Sequence, residues 1–218
     1  MIVENNVKAF AEGELIYGNG REQENLLFIK WGPGVGAAII IQNRIYDSHN
    51  SKAAEIGHYI VEKNGKPCRC GRRGCLETRV ATHPIAEKVR EACTPENMPL
   101  LYERVGGDVE LIQARNISQW VLSEDPGLWK ILGETIEEMA RIVVNTITFL
   151  APDKVIIYGE MFDLPHFAEM FREVCKTFDS TYQDDYIVKS KLGDRIEYIG
   201  PAAVVVNELF LLSGPVEV

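Results

Sequence analysis

Apolar positions recur along this 218-residue chain with two periods, and the switches between them lay out its elements. Val7, Phe10, Ala11 and Leu15 fall at helical spacing and predict a helix over residues 3–17, closed by Gly18-Asn19-Gly20. Leu26 to Trp31 is an apolar run that reads as a strand. Gly32-Pro33-Gly34-Val35-Gly36 turns the chain into a second strand, Ala37 to Ile41, and Gln42-Asn43-Arg44 turns it into a third, so this stretch is a β-meander. His58 to Val61 is predicted as a fourth strand. A helix starts near Leu76, restarts at Pro84 and fades by Cys93.

Residues 95–107, rich in Pro, Gly and Asn, predict a loop, and Asp108 to Arg115 a short helix. Asp125-Pro126 then caps a long helix whose buried stripe is Leu128, Ile131, Leu132, Ile136, Met139, Val143, Ile147 and Leu150. Pro152 stops it. Lys154 to Tyr158 is a short buried strand, Asp163 to Phe178 a helix, and Tyr186–Lys189 and Arg195–Tyr198 two further strands. A last helix runs from Gly200 to about Leu212. A meander followed by alternating helices and strands predicts an α/β (α+β) lobe.

Composition adds bounds. With 46% hydrophobic residues the chain can bury a core as one domain or one large lobe. A net charge of −9 and a pI near 5.1 argue against nucleic-acid binding through the bulk field. The longest apolar run is far short of a membrane span and no N-terminal targeting pattern is visible, so no membrane partner is expected, and reduced thiols at metal spacing point to the cytoplasm.

The densest chemistry is C-x-C-x4-C at Cys68, Cys70 and Cys75, with His58 ten residues upstream of the first thiol. Three thiols and an imidazole are a donor set for tetrahedral Zn²⁺, and a closed shell of four protein ligands leaves no site for an activated water, so the metal would be structural. Gly71 and Gly74 allow the tight fold-back such a loop needs. A disulfide or inert thiols are the alternatives, although Cys68 and Cys70 are too close to pair easily and the total of five is odd. The basic residues Lys66, Arg69, Arg72, Arg73 and Arg79 leave a nucleic-acid-binding knuckle as a weaker alternative, against the acidic balance of the chain.

These residues, in this order, resemble the ROK family of sugar kinases and sugar-responsive repressors. Glu55-Ile56-Gly57-His58, followed by Cys68-x-Cys70-Gly71-x-x-Gly74-Cys75-Leu76-Glu77, is similar to the family signature. Val3-Glu4-Asn5-Asn6 resembles its Glu-Asn-Asp segment, Gly32 to Gly36 its glycine turn, and Gly200-Pro201-Ala202-Ala203 the start of its last helix. The resemblance implies an actin/hexokinase-like (ribonuclease H-like) lobe with an inserted zinc loop of His58, Cys68, Cys70 and Cys75. It also implies a sugar site on Asn5, Asn6, Glu55, His58 and Glu77, where carboxylates accept from hydroxyls and amides both donate and accept. For Glu77 an ordinary acid at a helix start is the plain alternative.

Departures from the kinase pattern shape the functional expectation. Asn6 stands where the family's kinases place the aspartate that takes the proton from the sugar, and an amide is no base near neutral pH. Tyr158-Gly159-Glu160 keeps one glycine of the adenosine-binding turn, and the only Asp-x-Gly, Asp125-Pro126-Gly127, reads as a helix start. Residues 1–218 are therefore expected to be a C-terminal sugar-binding lobe, with the N-terminal lobe and any winged helix-turn-helix outside this chain. The expected function is the sugar-binding effector domain of a ROK transcriptional regulator with a structural zinc and no catalytic residue. It would work as a homodimer or higher homo-oligomer and reach DNA only through the missing domain. The rival is the C-terminal lobe of an ATP-dependent sugar kinase, and a degenerate homologue with no ligand is a third reading.

Overall fold

The structure is a computed structural model that describes residues 5–47, 53–207 and 209. Its centre is a five-stranded sheet of order β3-β2-β1-β4-β5. The strands are β1 (Leu26–Trp31), β2 (Val35–Ile41), β3 (Arg44–Ile45), β4 (Lys154–Tyr158) and β5 (Ile187–Lys189). The first three run antiparallel, as the meander predicts, and β4 and β5 join parallel to β1, with Leu27 opposite Val155. Side chains alternate across the pleat, so the sheet has two buried faces. Leu27, Ile29 and Trp31 enter the larger core, and Leu26 and Phe28 the smaller one.

Helix α1 (Asn6–Tyr17) and helix α9 (Ile196–Val206) cover the smaller face and cross at Gly13 and Gly200. Against the larger face lie α2 (Glu77–Val80), α3 (Thr82–Ala92), α4 (Pro99–Arg104), α5 (Ile117–Val121), α6 (Pro126–Leu150), α7 (Glu160–Asp163) and α8 (Phe167–Phe178). The predicted stripe of α6 is where the core needs it: Leu128, Leu132, Ile136, Met139, Val143 and Ile147 are buried, and Ile131 and Leu150 pack at its edge. Trp31 sits in a cage of Phe162, Phe167 and Phe171, with ring centroids 5.2–6.2 Å away. No helix among the described residues is long and apolar enough to cross a membrane.

Several expectations are corrected. His58 to Val61 is not a strand: a 3₁₀ turn, Ile56–His58, swings His58 toward the thiols, and only an isolated bridge, Ile60 to Cys75, follows. Arg195–Tyr198 is not a strand either. Ile196, Gly200, Ala203 and Val204 repeat at helical spacing against α1, so α9 begins before Gly200, which lies inside it with Pro201. The loop expected over 95–107 contains α4, because the buried carboxylate of Asp125 accepts the amides of Leu100 and Leu101 at 2.8 and 3.2 Å while also capping α6. Asp108 to Arg115 is a pair of 3₁₀ turns, Val109–Leu111 and Ala114–Asn116. The helix expected from Asp163 breaks at His166, whose φ of 59° ends α7's approach before α8. The predicted start at Val3 and the predicted end near Leu212 lie outside the described residues.

Candidate metal centre and adjoining cleft

Two short backbone constraints build the thiol loop. Gly57 passes under β2 so closely that a Cβ there would stand 2.2 Å from the Val35 carbonyl oxygen. Gly74 has φ +71°, and a Cβ would meet the Glu62 carbonyl oxygen at 1.8 Å. The loop is then zipped by backbone bonds from Val61 N–H to Gly74 O (2.9 Å), Gly74 N–H to Lys66 O (2.9 Å), Cys68 N–H to Arg72 O (2.8 Å) and Leu76 N–H to Tyr59 O (2.9 Å).

This folding brings His58, Cys68, Cys70 and Cys75 together with their donor atoms all within 4.8 Å of one another. His58 Nδ1 lies 3.5 Å from Cys68 Sγ, and Cys70 Sγ lies 3.6 Å from Cys75 Sγ. Two sulfurs bound about 2.3 Å from a tetrahedral zinc stand roughly 3.8 Å apart, so the thiol spacing suits that ion. A disulfide would draw two sulfurs to about 2.05 Å, and all five cysteines are free thiols. A hydrogen bond from the Arg72 side chain lowers Cys70 to about 6. Burial pushes Cys75 up to about 12, so its ionisation at neutral pH needs a cation.

Arg79 fastens the loop to the body. It holds Glu62 of the loop at 2.9 Å and forms a short ion pair with Glu138 on α6. The knuckle's basic residues are otherwise spread among local partners: Lys66 pairs with Glu87 at 2.8 Å and Arg69 with Glu77 at 3.2 Å.

Beside the loop opens a cleft of about 300 Å³. Asn5, Asn6, Glu55 and Glu77 all line it, together with the Gly34–Gly36 turn, Lys8, Lys30 and Arg69. His58 does not; it borders a neighbouring hollow with Glu55, Tyr59, Cys70 and Arg72. Its ring links the two, since Nδ1 faces the thiols while Nε2 stands 3.9 Å from Glu55 Oε2. Asn5 caps α1 by accepting the Val7 amide at 2.8 Å. Glu77 is more than a helix-start acid: Oε2 accepts the Val35 amide at 3.0 Å, which locks the glycine turn to the thiol loop.

Sequence reasoning missed two of the cleft's cations, Lys8 and Lys30. Lys8 is buried and ion-paired with Asp47. Lys30 was detectable in principle as the one charged residue in the β1 run. Glu160 packs against Gly32, where a Cβ would sit 3.2 Å from its Cγ, and its Oε1 is buried without a hydrogen-bond partner.

Comparison with known proteins places the chain in one family. The model of the ROK family matches residues 1–208. The glucokinase of Thermotoga maritima is 27% identical over 211 residues, 94% of this chain and 65% of that protein. The xylose repressor of Caldicellulosiruptor bescii is 28% identical over 217 residues, 95% of this chain and 52% of that protein. Among solved structures, a ROK family glucokinase from Streptomyces griseus in complex with glucose and AMPPNP superposes with a TM-score of 0.81 at 25% identity, covering 93% of this chain and 67% of that one. The chain thus spans about half to two thirds of the length of these curated relatives. Both kinases and repressors are among its kin, and the fold is the actin/hexokinase-like one. With its matched length, its sheet and its His-Cys loop in agreement, this chain belongs to the ROK family.

Proposed function

We propose that this chain is the effector-binding lobe of a ROK-family transcriptional regulator, binding a small sugar without phosphorylating it. The cleft lined by Asn5, Asn6, Glu55 and Glu77 holds the sugar, and His58 joins from the metal side by steadying Glu55. Zinc on His58, Cys68, Cys70 and Cys75 fixes the loop that Glu55 and Glu77 flank, a preorganising role. In the intact regulator, a cytoplasmic homodimer or higher homo-oligomer, sugar binding would bias the geometry of DNA-binding heads carried on a separate domain.

The observation that carries this reading is Asn6. It opens α1 and lines the cleft, and the family resemblance aligns it with the aspartate base of the kinases. Losing a positioned base lowers a rate by roughly 10²–10⁴-fold. The turn Tyr158-Gly159-Glu160 supports the same reading, because it keeps only one glycine of the pattern that lets a nucleotide approach the backbone closely.

The rival reading, the C-terminal lobe of an ATP-dependent sugar kinase, draws on the likeness to glucokinases. A coupled assay with ATP, Mg²⁺, glucose and xylose separates them, run beside calorimetry with the same sugars. Saturable sugar binding without turnover, in both the parent and Asn6→Asp, is expected. Turnover above background in the parent overturns the regulator reading. Turnover confined to Asn6→Asp means that the nucleotide site survives.

A further inference from the structure

The sugar cleft holds a cation that recognition of a neutral sugar does not require. Three cations line it, Lys8, Lys30 and Arg69, facing two carboxylates, Glu55 and Glu77. Lys8 is neutralised by Asp47, and Arg69 by Glu77 at 3.2 Å. Lys30 makes no ion pair within 4.0 Å among the described residues. Its ammonium instead lies over the Phe10 ring, 5.2 Å from the centroid. That contact orients the lysine without discharging it.

The setting makes this lysine conspicuous. Lys30 interrupts a strand whose other five residues are buried, and it sits half-buried at the cleft wall. A lysine in such a place loses hydration and gains little from packing unless an anion completes its shell. Of the acids in the lining, Glu77 is taken by Arg69 and Glu55 stands beside His58, while Glu160 feels the Lys30 charge from behind the Gly32 turn, outside the lining. Burial pushes the Glu160 carboxyl above its ordinary value, and a hydrogen bond with Thr82 and then the Lys30 charge draw it back.

We infer that the ligand of this cleft is an acidic sugar, a sugar phosphate or a uronate, whose anionic group is received by the Lys30 ammonium while its hydroxyls meet Asn5, Asn6, Glu55 and Glu77. This rests on the reading of the cleft as a sugar site and names the class of sugar. An unpaired, partly desolvated ammonium attracts phosphate and carboxylate alike. The two sources are separated by the probes.

The test is calorimetry of the zinc-loaded chain with glucose, glucose 6-phosphate and glucuronate, with inorganic phosphate as a control. At least one of the two acids is expected to bind tenfold or more tightly than glucose, with an advantage that shrinks as salt is raised; which one does so identifies phosphate or carboxylate as the partner. Lys30→Gln is expected to bring the acids to within threefold of glucose, and Lys30→Arg to keep the preference. Glucose binding as tightly as both acids overturns the inference and leaves the sugar cleft standing. Equal weakening of glucose and the acids by Lys30→Gln does the same. Inorganic phosphate binding as tightly as glucose 6-phosphate also overturns it, since the sugar would then contribute nothing. No saturable binding by any of these sugars removes the cleft reading and this inference together.

Discussion

The sheet core around Trp31 and the thiol loop from His58 to Cys75 meet at the same cleft, yet different physics holds each together. Trp31 is fully buried among aromatic rings, donates its indole N–H to the Val80 carbonyl at 2.6 Å, and belongs to a large apolar cluster. Such a region is held by many individually weak contacts roughly proportional to buried area. The loop buries few large apolar side chains; Ile60 is 62% exposed and Cys70 lies at the surface. It is held by a handful of specific bonds, two glycine conformations and a four-donor cluster. The core should therefore yield gradually to substitution and the loop abruptly. The cleft lies where the two meet, its glycine turn continuing β1 and its Glu77 anchored in the loop.

The sharpest way to break that contrast is to remove one metal ligand. Cys75→Ser is expected to take bound zinc, measured by elemental analysis of freshly reduced protein, from about one per chain to none. Structural zinc contributes on the order of 10–16 kcal/mol of binding free energy in small zinc peptides. Hydrogen exchange should therefore show protection lost over residues 60–76 and retained in β1 and β4. Equal loss in the strands would mean that loop and core are one cooperative unit.

The converse substitution acts on the other region. Trp31→Ala removes a fully buried ring and leaves the Val80 carbonyl without its partner. It should lower global stability by about 3–5 kcal/mol in urea titrations, with zinc content unchanged.

A smaller effect is expected from Asp125, whose carboxylate accepts amides from the first turns of both α4 and α6. Asp125→Ala should cost about 2 kcal/mol, the upper end for a cap, because two helix starts lose an acceptor together. Asp125→Asn should recover part of it. Thermal melts of the three proteins decide the matter.

The seam itself gives the smallest change. Arg79→Gln removes the link between Glu62 and Glu138. Because the pair is partly exposed, it should shift global stability by roughly 1 kcal/mol or less. Release of zinc to a chelator should nonetheless accelerate, since the loop loses its tie to α6. An unchanged release rate would assign the loop's rigidity to the metal alone.

How much of this was legible in the sequence follows from how far each feature's partners lie along the chain. The strands β1, β2 and β4 and the stripe of α6 carry their own period, so local pattern revealed them. The thiol loop was legible for another reason: its donors and glycines are compressed into eighteen residues, His58 to Cys75, and few other chemistries use that set. The Asn6, Glu55 and Glu77 assignments came through the family resemblance, and the structure lines one cleft with all three.

The amino-acid order by itself determined the mixed α/β class through its local periodicity and the family through its ordered motifs, and it nominated the four-donor set, because each of these signals is short-range. Only the tertiary structure decided that Arg195–Tyr198 is helical, since the deciding contact is α1, far away in sequence. It alone gave α4 its start, through an acceptor 24 and 25 residues downstream. It alone tied Glu77 to the Val35 amide and set Lys30 in the cleft wall without an ion pair among the described residues. Burial and pairing of a charge depend on what the whole chain packs around it, and no local pattern encodes that.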